Sequence, residues 1–295
     1  MPHPGSSAPS PVLSVVIPCR NAAEELAEQL EALAGQEWDQ SWEVLVADNG
    51  STDGTPGVVA SFLDRLPGLR MVDASARPGQ SFALEAGVRE SSGSSLLFLD
   101  ADDRVMPGYV AAMAAGLQDH EMVAARLDCR TLNPGWVGEV KEPSQEHGLG
   151  TPFGFLPAAA GCSLGIRRSL YEAIGGVSDL VEVGNDLDLS WRVQLAGYSL
   201  GFVPDAVLQY RYRSTLRGIF HQALGYGESG PLLYRNYRLA GMRRSSTRAV
   251  AREWGGTLRL VATATTAPNR GRAAAALGLR IGKVLGSVRH RVLYL

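Results

Sequence analysis

The sequence predicts an α/β chain, with a mostly parallel sheet flanked by helices and a basic helical C-terminal tail. Three observations carry that reading. Short runs of β-branched and aliphatic residues alternate with segments of helical period through the first hundred residues. The loops after these runs hold the carboxylates and glycines, at the end of the sheet where open parallel sheets bind ligands. The charge is also lopsided: residues 211–295 hold 16 of the 28 Lys and Arg, but only Glu228 and Glu253 of the 30 acids.

Leu13 to Pro18 (LSVVIP) is apolar, β-branched and stopped by proline, which predicts a buried parallel strand. Asn21 is then placed to cap a helix with Leu26, Leu30 and Leu33 on one face and Gly35 at its end. Trp42 to Ala47 (WEVLVA) predicts the second strand, and the turn-rich DNGSTDG over 48–54 leads to Thr55 and Pro56 as cap and first helical residue. Val59, Phe62, Leu63 and Leu66 extend that helix. Leu69 to Asp73 predicts a third strand, Ser81 to Glu90 a helix, and Ser95 to Leu99 (SLLFL) a fourth strand ending at Asp100. From Cys129 to Ala160 the pattern gives way to a Pro- and Gly-rich segment of the kind that serves as a substrate lid. Helices near Arg167 to Ile174 and from Asp186 to Ala196, and strands near Leu200 to Val203 and Val207 to Arg211, complete the domain.

With 295 residues and 45% hydrophobic content, the chain can bury one large core with an appendage. The expected organisation is a leader at 1–11, a catalytic domain at 12–240 with halves at 12–127 and 128–240, and a basic extension at 241–295. The leader is rich in Pro, Ser and Gly, has no apolar run to act as a secretory signal, and reads as disordered. Cys19, Cys129 and Cys162 lack the spacing of a zinc site or disulfide framework, which fits a reducing compartment. No stretch of about twenty uncharged apolar residues occurs. Together these lead us to expect a cytoplasmic protein, or one peripheral to the inner face of the membrane.

Asp48 follows the second strand, where its carboxylate can accept a hydrogen bond from the ring N–H of uracil, thymine or guanine. Arg77, Gly79 and Gln80 follow the third strand and offer a cation and free backbone N–H groups to a phosphate or base. Asp100, Asp102 and Asp103 directly follow a fully apolar strand, so their mutual repulsion and desolvation call for a compensating charge. Hard oxygen ligands suit Mg²⁺ or Mn²⁺, which complete their coordination with substrate phosphates and water. Asp186 opens a helix where the dipole favours its anion, and can take a proton from an acceptor hydroxyl. Asp188, two positions on, points away. Taken singly, each motif also reads as ordinary structure: a turn-forming Asp, a Pro-Gly turn or a helix cap.

The order of the motifs is more specific than any one of them. SVVIP, VADNGSTDGT, RPGQSFALEAG, FLDADD and GNDLDLSWR together resemble the inverting family 2 glycosyltransferases of GT-A fold, over residues 12 to 215. The resemblance implies a Rossmann-like sheet and a nucleotide pocket flanked by Pro18, Arg20 and Glu24. It implies that Asp48 binds the base and that Ser51 and Gly79 line the same pocket. Asp100 and Asp102 match the DXD motif, with Asp102 the direct ligand of Mn²⁺ or Mg²⁺ and Asp100 nearer the ribose. Asp186 matches the catalytic base, and Gly161 and Cys162 match the segment lining donor sugar and acceptor. Trp191, in the same motif as Asp186, is assigned to the acceptor side. Asn49 and Asn185 stand where the family often has Asp and Glu. The QxxRW motif of processive synthases is absent, which favours transfer of a single hexosyl-type sugar.

In the tail, His221 is a candidate to complete a metal shell or touch a diphosphate. Leu277, Ile281, Leu285, Val288, Val292 and Leu295 recur at helical spacing among arginines, which predicts a basic amphipathic helix. Such a helix suits an anionic membrane surface and a lipid-linked acceptor, or else packs on its own domain. Aromatic residues are too sparse there for nucleic acid. The competing readings are a nucleotidyltransferase that makes the sugar nucleotide, against which SVVIPCRN lacks a Gly-rich basic motif, and a non-catalytic binding protein.

Overall fold

The computed structural model describes residues 12–133, 135–140, 145–178, 181 and 183–295; the expected leader at 1–11 lies outside them. In chain order the elements are β1 (Leu13–Cys19), α1 (Ala23–Ala34), β2 (Trp42–Asp48), α2 (Thr55–Ser61), β3 (Arg70–Asp73), α3 (Gln80–Glu90), β4 (Ser95–Leu99), β5 (Arg104–Val105), α4 (Tyr109–Asp119) and β6 (Met122–Asp128). They continue with β7 (Ser163–Arg167), α5 (Arg168–Ala173), α6 (Asn185–Leu195), β8 (Leu200–Gln209), α7 (Leu216–Tyr237), α8 (Thr247–Ala262) and α9 (Ala267–Arg289).

One sheet has the order β3-β2-β1-β4-β7-β6-β8-β5. Its first four strands are parallel, so Cys19, Asp48, Asp73 and Asp100 emerge at the same end. Strand β7 runs antiparallel between β4 and β6, and β6 pairs parallel with β8. Leu13, Val15, Ile17, Val44 and Val46 pack with Leu26, Leu30 and Leu33 of α1 on one face, while Val16, Leu96 and Phe98 meet α3 and α5 residues on the other. Burial on both faces explains why these strands read as continuous apolar runs.

Several local expectations are corrected. Asn21 does not cap α1: it takes a positive φ of 50° and accepts a hydrogen bond from the Thr52 N–H at 2.7 Å. The free N–H groups of α1 go instead to the next loop, Ala22 to Thr55 Oγ1 at 3.0 Å and Ala23 to Asp53 Oδ2 at 3.2 Å. Helix α2 stops at Ser61, so Leu63 is exposed although Phe62 and Leu66 are buried in the turn that follows. Strands β6 and β7 were not expected. MVAARLD is built from good helix formers, and SLGIR is interrupted by a glycine. That glycine is required: a Cβ at Gly165 would lie 2.8 Å from Leu97 and 2.9 Å from Val123. The two strands expected around Pro204 are one, β8, carrying a register shift opposite Ala125 and Arg126.

The expected extension is not an appendage. Helix α9 lies along α7 through a glycine seam in which Gly278, Gly282 and Gly286 face Phe220, Leu224, Gly227 and Glu228. No described helix is long and apolar enough to cross a membrane.

Candidate active site

At the C-terminal end of β2, Asp48 accepts hydrogen bonds from the Ser51 hydroxyl and, at 3.2 Å, the Ser51 N–H. The Asn21 N–H in turn reaches Ser51 Oγ at 2.9 Å, tying the loops after β1 and β2 into one wall. The buried Cys19 thiol lies 3.8 Å from Asp48, and burial, then the Asp48 charge, pushes its pKa up to about 12. Pro18 is buried within β1, and Arg20 and Glu24 are exposed at the β1–α1 junction.

The neighbouring Asn49 had no role in the sequence beyond replacing an acid. Its amide donates to the carbonyls of Ala74 at 2.5 Å and Arg77 at 2.9 Å, and its oxygen accepts from the Gly79 N–H at 2.9 Å. An ionised carboxylate could accept but not donate, so Asn is the residue that fastens this turn. The turn needs fastening, since Gly79 sits at a φ of 133°. The Arg77 guanidinium stacks over Phe82 at 3.5 Å, and Gln80 donates to Asp100 Oδ1 at 2.7 Å.

The acidic loop after β4 is held by far-away residues. Gln29 of α1 donates to the Asp100 carbonyl at 3.3 Å and accepts from the Val105 N–H at 3.0 Å. Asp103 is fully buried: one oxygen accepts from the Arg211 N–H at 2.8 Å, and Oδ2 has no hydrogen-bond partner among the described residues. Asp102 pairs with Arg213 at 3.0 Å. Burial, then the Asp102 charge, pushes Asp100 up to about 7, with Asp186 adding to the rise. Asp103 is raised well above the carboxylate range by burial and by both neighbours.

Asp186 stands at the first turn of α6, with Oδ2 accepting from the Gly161 N–H at 3.0 Å and Oδ1 from the Leu187 N–H at 2.9 Å. Burial raises its pKa although these N–H groups oppose the rise. A Cβ at Gly161 would lie 3.3 Å from the Asp186 Cβ, so the close approach favours glycine. Asn185 ties the start of α6 to α3 through Ser81 at 2.7 Å. Asp188 does turn away, pairing with Arg192 at 2.8 Å and the Tyr237 hydroxyl at 2.6 Å.

Asp100, Asp103 and Cys162 each present a ligand atom, all within 4.8 Å of one another. The carboxylates fit a divalent cation: Asp103 is buried with an unpartnered oxygen, Asp100 is half-buried, and both are pushed toward the neutral form by burial and then by neighbouring carboxylates. The Cys162 thiol is pushed well above its ordinary value by burial and then by Asp103, which makes it a lining group for a hard cation. Asp102 and His221 lie outside that compact group, Asp102 because its carboxylate turns to Arg213 and His221 because it sits exposed on α7. Trp191 is corrected to a core residue. Five positions beyond Asp186, it is turned about 140° around the helix. It is fully buried, its indole N–H donates to the Leu156 carbonyl at 3.0 Å, and Phe155 and Tyr237 pack edge-on against it.

Comparison with known proteins identifies the family and the fold. The family model described as "Glycosyl transferase family 2" matches residues 14–175, and "Glycosyl transferase family group 2" matches 95–265. The chain belongs to glycosyl transferase family 2, and its fold is GT-A. It is 28% identical to the glycosyltransferase AglE of Haloferax volcanii over 203 residues, covering 67% of this chain and 66% of AglE. It is 26% identical to the succinoglycan biosynthesis protein ExoA of Rhizobium meliloti, covering 92% and 86%. It spans 50% of the length of another relative, the probable glycosyltransferase YdaM of Bacillus subtilis. Among solved structures, the mannosyltransferase PcManGT of Pyrobaculum calidifontis, in complex with GDP-Man and Mn²⁺, superposes with a TM-score of 0.66 at 21% identity, covering 96% of this chain and 90% of that one. S. aureus TarS 1–349 with UDP-GlcNAc gives 0.54 at 16% identity, covering 95% and 92%.

Proposed function

We propose that this protein transfers one hexosyl-type sugar from a nucleoside diphosphate sugar, of the UDP or dTDP type, to an acceptor hydroxyl, with inversion at the anomeric carbon. The observation that carries the reading is the setting of Asp186. Its carboxylate is half-buried, raised in pKa, and aimed by the Gly161 and Leu187 N–H groups beside the acidic loop. Raising the pKa of a carboxylate strengthens it as a base while these two donors keep its orientation.

In this reading Asp48 accepts the ring N–H of the base, Ser51 holds Asp48 in place, and the Arg77–Gly79 turn lies along the nucleotide. Asp186 removes the proton from the acceptor hydroxyl, whose oxygen then attacks the anomeric carbon as the bond to the diphosphate breaks. Asp102, supported by Asp100, would hold Mn²⁺ or Mg²⁺, which when bound offsets the charge of the departing diphosphate. Gly161 and Cys162 line the sugar side. The 129–160 segment and the C-terminal helices are assigned to the acceptor. The test is product analysis with UDP-, dTDP- and GDP-sugars: release of nucleoside diphosphate is expected, and release of pyrophosphate would instead support a nucleotidyltransferase.

The proposed setting is an anionic membrane surface that presents a lipid-linked acceptor. The support lies in α8 together with the helix predicted from sequence, α9, which packs on α7 through its glycines and leaves Leu285 and Val288 exposed. In α8 only Thr257 is buried among the described residues. Val250, Trp254, Leu258 and Val261 recur every three or four residues on one side of the helix, with Arg248, Arg252 and Arg259 on the other. The acid of α8, Glu253, is taken up by Arg280 and Lys283 of α9. Removing residues 242–295 would also uncover α7, so point changes are the cleaner test. Leu258→Glu with Val261→Glu is expected to abolish co-flotation with phosphatidylglycerol vesicles and leave donor hydrolysis intact. Undiminished flotation would rule α8 out.

A further inference from the structure

Two arginines leave the end of β8 and are held in opposite ways. Arg211 is fixed along its length: its N–H donates to Asp103, Nε to the Asp102 carbonyl and Nη2 to Glu28, each at 2.8 Å. Arg213 is 57% exposed and reaches the site through one guanidinium nitrogen, 3.0 Å from Asp102 Oδ2. That oxygen belongs to the carboxylate which, under the function proposed above, a divalent cation takes. A guanidinium stays charged at any ordinary pH, so a cation at Asp102 and Arg213 repel one another and compete for the charge of that carboxylate.

We propose that Arg213 is a donor-site residue that exchanges Asp102 for the donor's diphosphate. With the site empty it covers Asp102 and moderates the repulsion among three carboxylates on four consecutive residues. When cation and nucleotide enter, it moves to the phosphate oxygens. The inference rests on the glycosyltransferase reading of the site. Exchange is favoured over simple expulsion because a cation held by Asp102 would draw the diphosphate to it, which would bring phosphate oxygens within the swing of an arginine already at that carboxylate. The planar fork of a guanidinium also matches two phosphate oxygens at once, which a free side chain in solvent would not forgo. The backbone need not refold for the move. On one side the Tyr212 N–H is bonded to Asn133 at 2.7 Å, and on the other Thr215 caps α7 through the Gly218 N–H at 3.0 Å.

Two binding measurements without turnover test this: Mn²⁺ alone, and UDP or GDP at saturating Mn²⁺, each by calorimetry on the full chain. For Arg213→Ala we expect Mn²⁺ to bind several-fold tighter and the nucleotide roughly tenfold weaker, the scale of a charge-assisted contact. Arg217→Ala, an equal change of charge on the neighbouring helical turn, is expected to alter neither. Tighter Mn²⁺ with unchanged nucleotide binding overturns the exchange, as do parallel losses of both, or the same pair of changes in Arg217→Ala. A wild-type protein that binds Mn²⁺ but neither nucleotide brings down the donor-site reading itself, and the exchange with it.

Discussion

Asp186 is the side chain on which turnover should depend most steeply. Asp186→Asn keeps the shape and the hydrogen bond from Gly161 but cannot take a proton, so transfer should fall by about 10²–10⁴-fold while donor binding is retained. Asp102→Ala should also weaken donor binding in Mn²⁺, because the carboxylate proposed to anchor the cation is gone. Full turnover in either variant would sink its assignment. A different carboxylate governs stability. Glu43 is nearly buried and accepts hydrogen bonds from the Ser14 hydroxyl, the Ser92 N–H and Arg70, each at 2.6 Å. Burial alone would raise its pKa, but these donors outweigh burial and the net direction is down. Its contribution is therefore present above the unfolded-state pKa and is lost as pH falls through the lower folded-state value. Glu43→Ala should cost about 3 kcal/mol at pH 7 by leaving several donors unpaired, and the penalty should shrink under acid. Urea melts of both proteins at pH 7 and at low pH measure this; a pH-independent penalty would exclude the linkage.

Helices α7 and α9 make a stronger demand on sequence than their periodicity suggested. A Cβ on Gly282 would meet the Leu224 carbonyl oxygen and the Gly227 Cα well inside contact distance. Gly to Ala within an exposed helix normally gains up to about 1 kcal/mol. Gly282→Ala should instead destabilise by about 2–3 kcal/mol, measured by denaturant unfolding, because backbone has to move. The seam also explains how far the elements could be read from sequence. Strands β1, β2 and β4 were legible because burial on both faces leaves an uninterrupted apolar run, and α1 because Leu26, Leu30 and Leu33 mark one face. Strands β6 and β7 were not, since their sequences satisfy helix formers or carry Gly165, and pairing with distant strands overrode local preference. The partner of α9 was hidden for a related reason: the apolar stripe of its sequence leaves Leu285 and Val288 exposed, and the packed face is glycine. At the site, Asp48, Asp100 and Asp186 were legible as carboxylates at strand ends and a helix start. Asn49 was not, because its work is to bond carbonyls of a loop 25 residues away.

For the molecule as a whole, ligand and metal should act together. Mn²⁺ with the matching nucleoside diphosphate should raise the melting temperature by several degrees, as binding to the native state alone requires, and a chelator should remove most of that gain. An equal shift with and without chelator would argue against a metal-bridged donor. The order in which the chain supplies its parts adds a constraint on how the site comes to exist. The acidic loop spans residues 100–103, yet the groups that hold it, Arg211 and Arg213, come from more than a hundred residues later, as does the β8 partner of β5. A chain emerging from synthesis therefore carries three unneutralised carboxylates at the end of β4 until β8 has been made and docked. Closing loops of that length is slow compared with forming local helices. The wall that the loops after β1 and β2 build within the first eighty residues can thus be complete while the acidic side of the cleft is still unassembled, and the arginines that follow β8 mark the moment at which the two sides meet.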